Sequence, residues 1–270
     1  MKPEPRNVEI SADAAPAYEQ LREARRQTLV APEDDMWAAF ADLAAPHALT
    51  LGAQLVGRFS VDEERRLHGF YVGDDFEAMA PALLAHVVEE LGVSAAMAST
   101  VDPLFLARAL AAGGPTRPVA LIYDHVARPE TEETLNVRLA VGADHAAAVA
   151  FCAGATGAPE SFLVPYTAER IDLHELLLVE DAGAIVATGE CRVDRRAPGH
   201  AHLGLVIGAE VRGQGLGSRL LHTLTGLCVE QGLTPRCSTE PTNLAAQRAI
   251  RRAGFRVRHQ VLRVAMTPSR

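Results

Sequence analysis

The sequence predicts an α/β (α+β) chain built as two tandem domains of similar topology, each a twisted mixed sheet flanked by helices. Three observations lead there. The same order of strands and helices occurs twice, at an offset of about 129 residues at the first strand (Asn7 to Asn136) and 140 at the last glycine (Gly114 to Gly254), a drift that suits a duplicated domain with loop insertions rather than a short-period solenoid. An acidic, proline-containing stretch, "ARPETEET" (127–134), separates the two copies as a natural linker. The 270 residues, 48% hydrophobic, suffice for two ordinary domains, which the sequence divides as 1–133 and 134–270.

The elements follow in order. "NVEIS" (7–11) and "NVRLA" (136–140) each read as a short strand followed by an alanine-rich helical stretch. "HALTLGAQLVGRFSV" (47–61) and "LHELLLVEDAGAIVATGECRV" (173–193) read as paired strands with a tight turn. "LHGFYVGDDF" (67–76) and "AHLGLVIGAEV" (201–211) are strands that end at a glycine. The helices "FEAMAPALLAHVVEELG" and "GLGSRLLHTLTGLCVEQG" each have Gly just past the end. Short strands, "SAAMAST" and "PRCSTE", come next, then a helix ending at Gly113-Gly114 or Gly254, then the closing strands "PVALIYDHV" and "RVRHQVLRV".

Charge and composition narrow the class. Net charge is −8, which argues against general nucleic-acid binding, but residues 1–133 hold 22 acids against 11 bases and residues 134–270 hold 12 acids against 15 bases. Eight arginines face only Glu210, Glu230 and Glu240 within 210–258, which places an anionic ligand in the last third; solvated helix-surface arginine accounts for them equally. No apolar run of transmembrane length and no signal peptide is read, so a cytoplasmic protein without membrane contact is expected. Cys152, Cys191, Cys228 and Cys237 form no C-x-x-C pair and read as reduced, buried thiols; no metal site is expected.

The copies differ after the central strand. The second has "EVRGQGLGS"; the first has "GDDFEAMA", whose Asp74, Asp75 and Glu77 would repel a phosphate at a helix start. The helix from Leu216 carries its apolar residues in one stripe (Leu216, Leu220, Leu221, Leu224, Leu227, Cys228), so it packs on a sheet. Its first turn leaves backbone N–H groups unpaired, and Gly213, Gly215 and Gly217 let them approach a phosphate. Arg212 adds a charge-assisted contact. A Rossmann G-x-G-x-x-G would need Gly at 218, which is Ser218, and a Walker A loop would need a lysine that is absent here. A tight strand-to-helix turn without a ligand stays open on this motif alone.

About 30 residues on, "TNLAAQRAIRRAGF" (242–255) supplies a helix capped by Thr242 or Asn243 and ended by Gly254. Arg212-x-x-Gly215-x-Gly217 after a strand, then Asn243-x-x-Ala246 and Gly254-Phe255, resembles the GNAT superfamily of acyl-CoA-dependent N-acetyltransferases. The motifs cover about residues 136–265; residues 7–125 share the repeated topology only, so the first copy reads as a degenerate domain without a phosphate loop. The resemblance implies acetyl-CoA as cosubstrate, with Leu205, Val206 and Ile207 beside the thioester and pantetheine. It sets Arg212, Gly213, Gln214, Gly215, Leu216, Gly217 and Ser218 on the pyrophosphate, with Asn243, Ala246 and Arg252 beside the arm and nucleotide. A plain helix cap explains Asn243 as well, and solvated surface explains Arg252. Many members carry a general-acid Tyr seven residues after the Asn; here that residue is Ile250.

The implied reaction is direct attack of a primary amine, of a small molecule in the leading reading, on the thioester, with a backbone amide near Ile207 facing the developing oxyanion. An alkylamine of pKa ~10.4 lies ~3.4 units from neutral base at pH 7, a penalty of about 4–5 kcal/mol, so a general base is expected. The departing thiol, pKa ~8.5, faces only about 2 kcal/mol, so Ile250 does not by itself abolish catalysis. Base candidates are Glu190, His202 and Glu240, with His259 a fourth. An arginine pair, a strand-end surface position and a helix cap are the respective alternatives for the first three. Acetylation of a protein or peptide and non-catalytic acyl-CoA binding are the competing functions. A monomer or homodimer is expected.

Overall fold

The computed structural model describes residues 8–12, 16–112, 114–130 and 133–266, so Asn7, Gly113, Thr131 and Glu132 of the repeat and linker lie outside the described residues. The chain forms two compact units, residues 1–121 with 259–270, and residues 122–258.

The first unit contains β1 (Val8–Ser11), α1 (Pro16–Gln27), α2 (Asp35–Leu43), β2 (Ala45–Leu51), β3 (Gln54–Val61), β4 (Arg66–Val72), α3 (Ala80–Leu91), β5 (Ala95–Ser99) and α4 (Pro103–Ala111). β6 (Thr116–His125) follows. The second unit contains β7 (Arg138–Leu139), α5 (His145–Thr156), α6 (Glu160–Asp172), β8 (Leu176–Asp181), β9 (Ala184–Val193), β10 (His200–Ile207), α7 (Leu216–Glu230), β11 (Thr234–Thr239) and α8 (Leu244–Arg252), and β12 (Phe255–Ala265) ends the chain. The repeat read from the sequence is present element by element. Each alanine-rich stretch resolves into two helices, α1 with α2 and α5 with α6.

In strand order β1-β2-β3-β4-β5 is followed by β12, whose residues 259–265 belong to the first unit, and β7-β8-β9-β10-β11 by β6, whose residues 122–125 belong to the second. The closing strands are therefore exchanged. β12 pairs antiparallel with β5, from Val261 opposite Ser99 to Ala265 opposite Ala95, whereas β6 stands beside β11. A boundary at 133/134 follows chain order; the compact units follow strand order.

Within each unit β1–β4 and β7–β10 form antiparallel meanders. The β8–β9 turn uses Ala182 and Gly183 at φ 47° and 80°, the left-handed pair of a two-residue hairpin. A crossover through α3 or α7 then makes the next strand parallel. Fully buried Val56, Phe59, Leu67, Leu83, Val87, Ala96, Phe105 and Val264 make the core of the first unit. α7 buries Leu220, Leu221, Leu224 and Cys228 as its stripe requires, and a Cβ at Gly189 on β9 would stand 3.0 Å from Leu224. All four cysteines are buried free thiols. Among the described residues no helix is long and apolar enough to cross a membrane.

Candidate active site

β10 and β11 part company early. Their parallel pairing covers His200–Thr234, Ala201–Pro235 and His202–Arg236 only, although β10 continues to Ile207 and β11 to Thr239. Burial changes at the same place: Ala201, His202 and Leu203 are buried, while Gly204, Leu205, Val206 and Ile207 are half-exposed. The N–H and C=O groups on that edge of β10 must be satisfied by something other than β11. The other edge stays paired to β9 through Ile207–Ala187.

The turn after β10 leads straight into α7. Gly213 and Gly215 have φ 78° and 80°, where a side chain is strained, and a Cβ on either would meet nothing within 4 Å. Gly215 is the N-cap of α7 and no side chain caps this helix, in contrast to α2, α4 and α8, capped by Asp34, Asp102 and Asn243. The first-turn amides of α7 therefore point out of the turn, with the positive end of the helix dipole behind them. Gly217 differs: a Cβ there would make ordinary contact with Ala249 of α8 (3.6 Å) and Ile207 (3.8 Å), so neither space nor backbone conformation requires glycine at this position.

The other proposed cofactor contacts are distributed as follows. Arg212 is folded back, its Nε donating to the Ile207 carbonyl at 3.0 Å and an Nη to the Ala155 carbonyl at 2.8 Å, so in this conformation it ties the end of β10 to α5. Gln214 donates to the Glu210 carbonyl (3.2 Å) and Ser218 to that of Gly215 (2.9 Å). Leu216 begins α7. Leu205 and Ile207 alternate with Val206, which packs on the cluster of Val149, Cys152 and Leu163 from α5 and α6. Asn243 caps α8, its Oδ1 accepting from the Ala246 amide at 3.0 Å. Arg252 is exposed, 3.7 Å from Glu130. Ile250 is buried at 6% exposure and is the buried residue of α8. Gly254, at φ 93°, ends that helix where a Cβ would stand 2.2 Å from the Ala127 carbonyl, so only glycine fits.

The base candidates are not gathered in one place. Glu190 on β9 lies opposite Gly204 of β10, and a Cβ on Gly204 would stand 3.2 Å from Glu190 Oε2 and 3.0 Å from Arg192. Its Oε2 accepts from the Tyr166 hydroxyl of α6 at 2.7 Å and from the Arg192 guanidinium. Burial and the Glu190 carboxylate push the Tyr166 phenol well above its ordinary value, so it is a proton donor throughout the working range. His202 is 1% exposed and held by Asp194 at 3.0 Å; it is a core residue, not a strand-end surface one. Glu240 is exposed beyond β11 and accepts from Thr242 at 3.3 Å. His259 falls in the first unit, beside Thr100 at 3.3 Å.

Tyr166 and Asp194 are the residues that sequence reasoning missed, whereas Arg192 is the arginine partner that the sequence offered for Glu190. Tyr166 sits in a helix with an internal Pro165, four residues after Phe162; that i, i+4 aromatic pair was the available signal. Among the described residues no three His, Cys, Asp or Glu side chains come together as a metal site.

The equivalent places in the first unit are lined by an ion-paired arginine. β4 pairs with β5 over three residues only, ending at His68–Met97, as in the second unit. There Arg25 of α1 reaches Asp102, the α4 cap and counterpart of Asn243, at 2.7 Å, and its guanidinium carbon would lie 3.4 Å from a Cβ on Gly69 of β4. Glu33 completes the bridge, 2.7 Å away. Arg58 occupies the position of Glu190, four residues before the aspartate that holds the strand histidine.

Residues 150–255 match the profile described as "Acetyltransferase (GNAT) family" and residues 16–126 one described as "Acetyltransferase (GNAT) domain". No curated protein matches at a significant level. Among solved structures, an acetyltransferase from the GNAT family of Colwellia psychrerythraea is 28% identical, with 96% of this chain and 99% of that chain covered and a TM-score of 0.91. A GCN5-related N-acetyltransferase from Sphaerobacter thermophilus (19% identity, 100% and 98% covered, TM-score 0.66) shares the fold. So does a tandem GNAT protein from the clavulanic acid biosynthesis pathway (14% identity, 97% and 100% covered, TM-score 0.64). With two matched domains in tandem on a mixed sheet flanked by helices, the chain belongs to the GNAT acetyltransferase family.

Proposed function

We propose that the second domain transfers an acetyl group from acetyl-CoA to a primary amine of a small molecule, and that the first domain carries no cofactor. The observation that carries this reading is the parting of β10 from β11 beside an uncapped helix start at two positive-φ glycines. A free strand edge suits an amide-bearing arm, and converging N–H groups suit a diphosphate.

When bound, acetyl-CoA supplies a thioester open to direct attack by a neutral amine. The chain's own part is to hold and to move protons. Amides of residues 213–218 would hold the diphosphate and the 205–207 edge the arm, with the α8 start flanking it. Of the base candidates, Glu190 stands best: it abuts the half-exposed part of β10, whereas His202 is enclosed and Glu240 lies out in solvent. Glu190 takes the amine proton, directly or through one water, and Tyr166 and Arg192 fix its orientation. Ile250 leaves thiolate departure unassisted, a deficit of about 2 kcal/mol.

The test is incubation of the full chain with acetyl-CoA and a panel of amines and peptides, followed by free thiol release. Release with small amines supports the reading. Release only with peptides replaces the acceptor class, and acetyl-CoA binding without release makes the domain a binding module.

A further inference from the structure

An aromatic surface runs from solvent down to Glu190. Phe162 on α6 is 56% exposed and stacks on Tyr166, ring centroids 5.3 Å apart at 20°. The Tyr166 hydroxyl in turn touches the carboxylate at 2.7 Å. Leaving a phenylalanine ring this open forgoes burial that most aromatic side chains obtain, and it does so one helical turn from the tyrosine that touches the carboxylate. Charge restricts what fits. Arg192 donates to the same Glu190 oxygen, and the Arg170 guanidinium carbon lies 5.4 Å from the Tyr166 ring centre. Arg170 is matched by its own acids, Glu169 and Glu175. Arg192 already shares the Glu190 carboxylate, so a second ammonium group would compete with a guanidinium at the same oxygen.

From this arrangement we infer that the acceptor is a monoamine on an aromatic or similarly flat apolar body, its ring laid on Phe162 and its nitrogen at Glu190. The inference rests on Glu190 as the amine-facing carboxylate. Polyamines and aminoglycosides lack the flat apolar body that the ring would take, and peptide N-termini gain little from it.

The experiment uses the full chain, saturating acetyl-CoA and thiol release with 2-phenylethylamine, hexylamine, spermidine, kanamycin and an alanine-initiated peptide. The expected order puts 2-phenylethylamine first in kcat/KM. Phe162→Ala raises its KM about 5–10-fold at constant kcat, since an aromatic pair contributes on that order. The hexylamine KM shifts less than twofold, acetyl-CoA affinity stays constant, and Phe162→Tyr restores the wild-type KM. Preference for a polycation or a peptide, or a Phe162→Ala KM equal to wild type, overturns the inference while acetyl transfer stands. No thiol release with any amine overturns both.

Discussion

His202 Nε2 is held 3.0 Å from Asp194 Oδ2, at the last residue pair before β10 leaves β11. The first unit repeats the pair: His68 lies 2.9 Å from Asp62, at the last residue pair of β4 and β5. Each aspartate also accepts turn amides, those of Arg196 and Ala197 or of Glu64 and Arg66. A feature kept in both copies, only one of which has the glycine turn, belongs to the fold. It fixes where the strands separate.

Burial pushes the Asp194 carboxyl up, but hydrogen bonds from His202 and the two amides outweigh it and hold the group below its ordinary value. A depressed carboxylate contributes stability that is present above the unfolded pKa, about 4, and lost as pH falls through the folded value. Asp194→Asn is expected to lower the unfolding free energy at pH 7 by about 1.5–3 kcal/mol, with the deficit shrinking below pH ~4. Urea denaturation at both pH values measures it. His202→Asn should destabilise as well, while the turnover of the folded variant keeps its pH profile between about pH 6 and 9; loss of the acidic limb would return His202 to the chemistry.

The glycine turn is tested by making the same substitution inside it and away from it. Gly215→Glu places an acid at the N-cap of α7 and should reduce acetyl-CoA affinity at least about tenfold by calorimetry. Gly226→Glu, midway along the same helix with nothing within 4 Å of its Cβ, should leave affinity unchanged. Equal affinities for both variants would detach the turn from the cofactor.

The elements and the glycine turn were legible because they are local: periodicity, turn residues and caps lie within a few residues of one another. The exchange of closing strands was not, since "PVALIYDHV" and "RVRHQVLRV" carry the same strand pattern and nothing in it names a neighbour. Nor was the Tyr166–Glu190 contact, 24 residues apart, or Arg25–Asp102, 77 apart. His202 looked like a strand-end residue because the aspartate that buries it lies across a turn of its own.

Glu190→Gln removes the proton acceptor and keeps the shape that Tyr166 and Arg192 surround. Turnover should fall about 10²–10³-fold at pH 7 with acetyl-CoA affinity nearly intact. The loss should narrow at high pH, where more of the amine is neutral before it binds. Glu240→Gln, at an exposed position, should keep wild-type rates. If Glu190→Gln turns over normally while Glu240→Gln fails, the assignment of the base moves to the end of β11.

Titration of the full chain should give one acetyl-CoA per chain, for two separate physical reasons. The first-domain loop presents Asp74, Asp75 and Glu77 in its opening turn, and Arg108 of α4 pairs with Glu77 alone, so repulsion of a diphosphate persists. Behind it, the Arg25–Asp102–Glu33 bridge joins α1 to the α4 cap beside β4, at the place corresponding to the free edge of β10. Burial alone would push the Arg25 guanidinium down, yet the two carboxylates raise it further, so the bridge stays charged. Removing the loop acids is therefore not enough. Asp74→Asn with Asp75→Asn and Glu77→Gln should still bind a single equivalent by calorimetry. Two equivalents in that triple variant would show that the bridge does not close the first domain, and two in the wild type would overturn its reading as a cofactor-free partner.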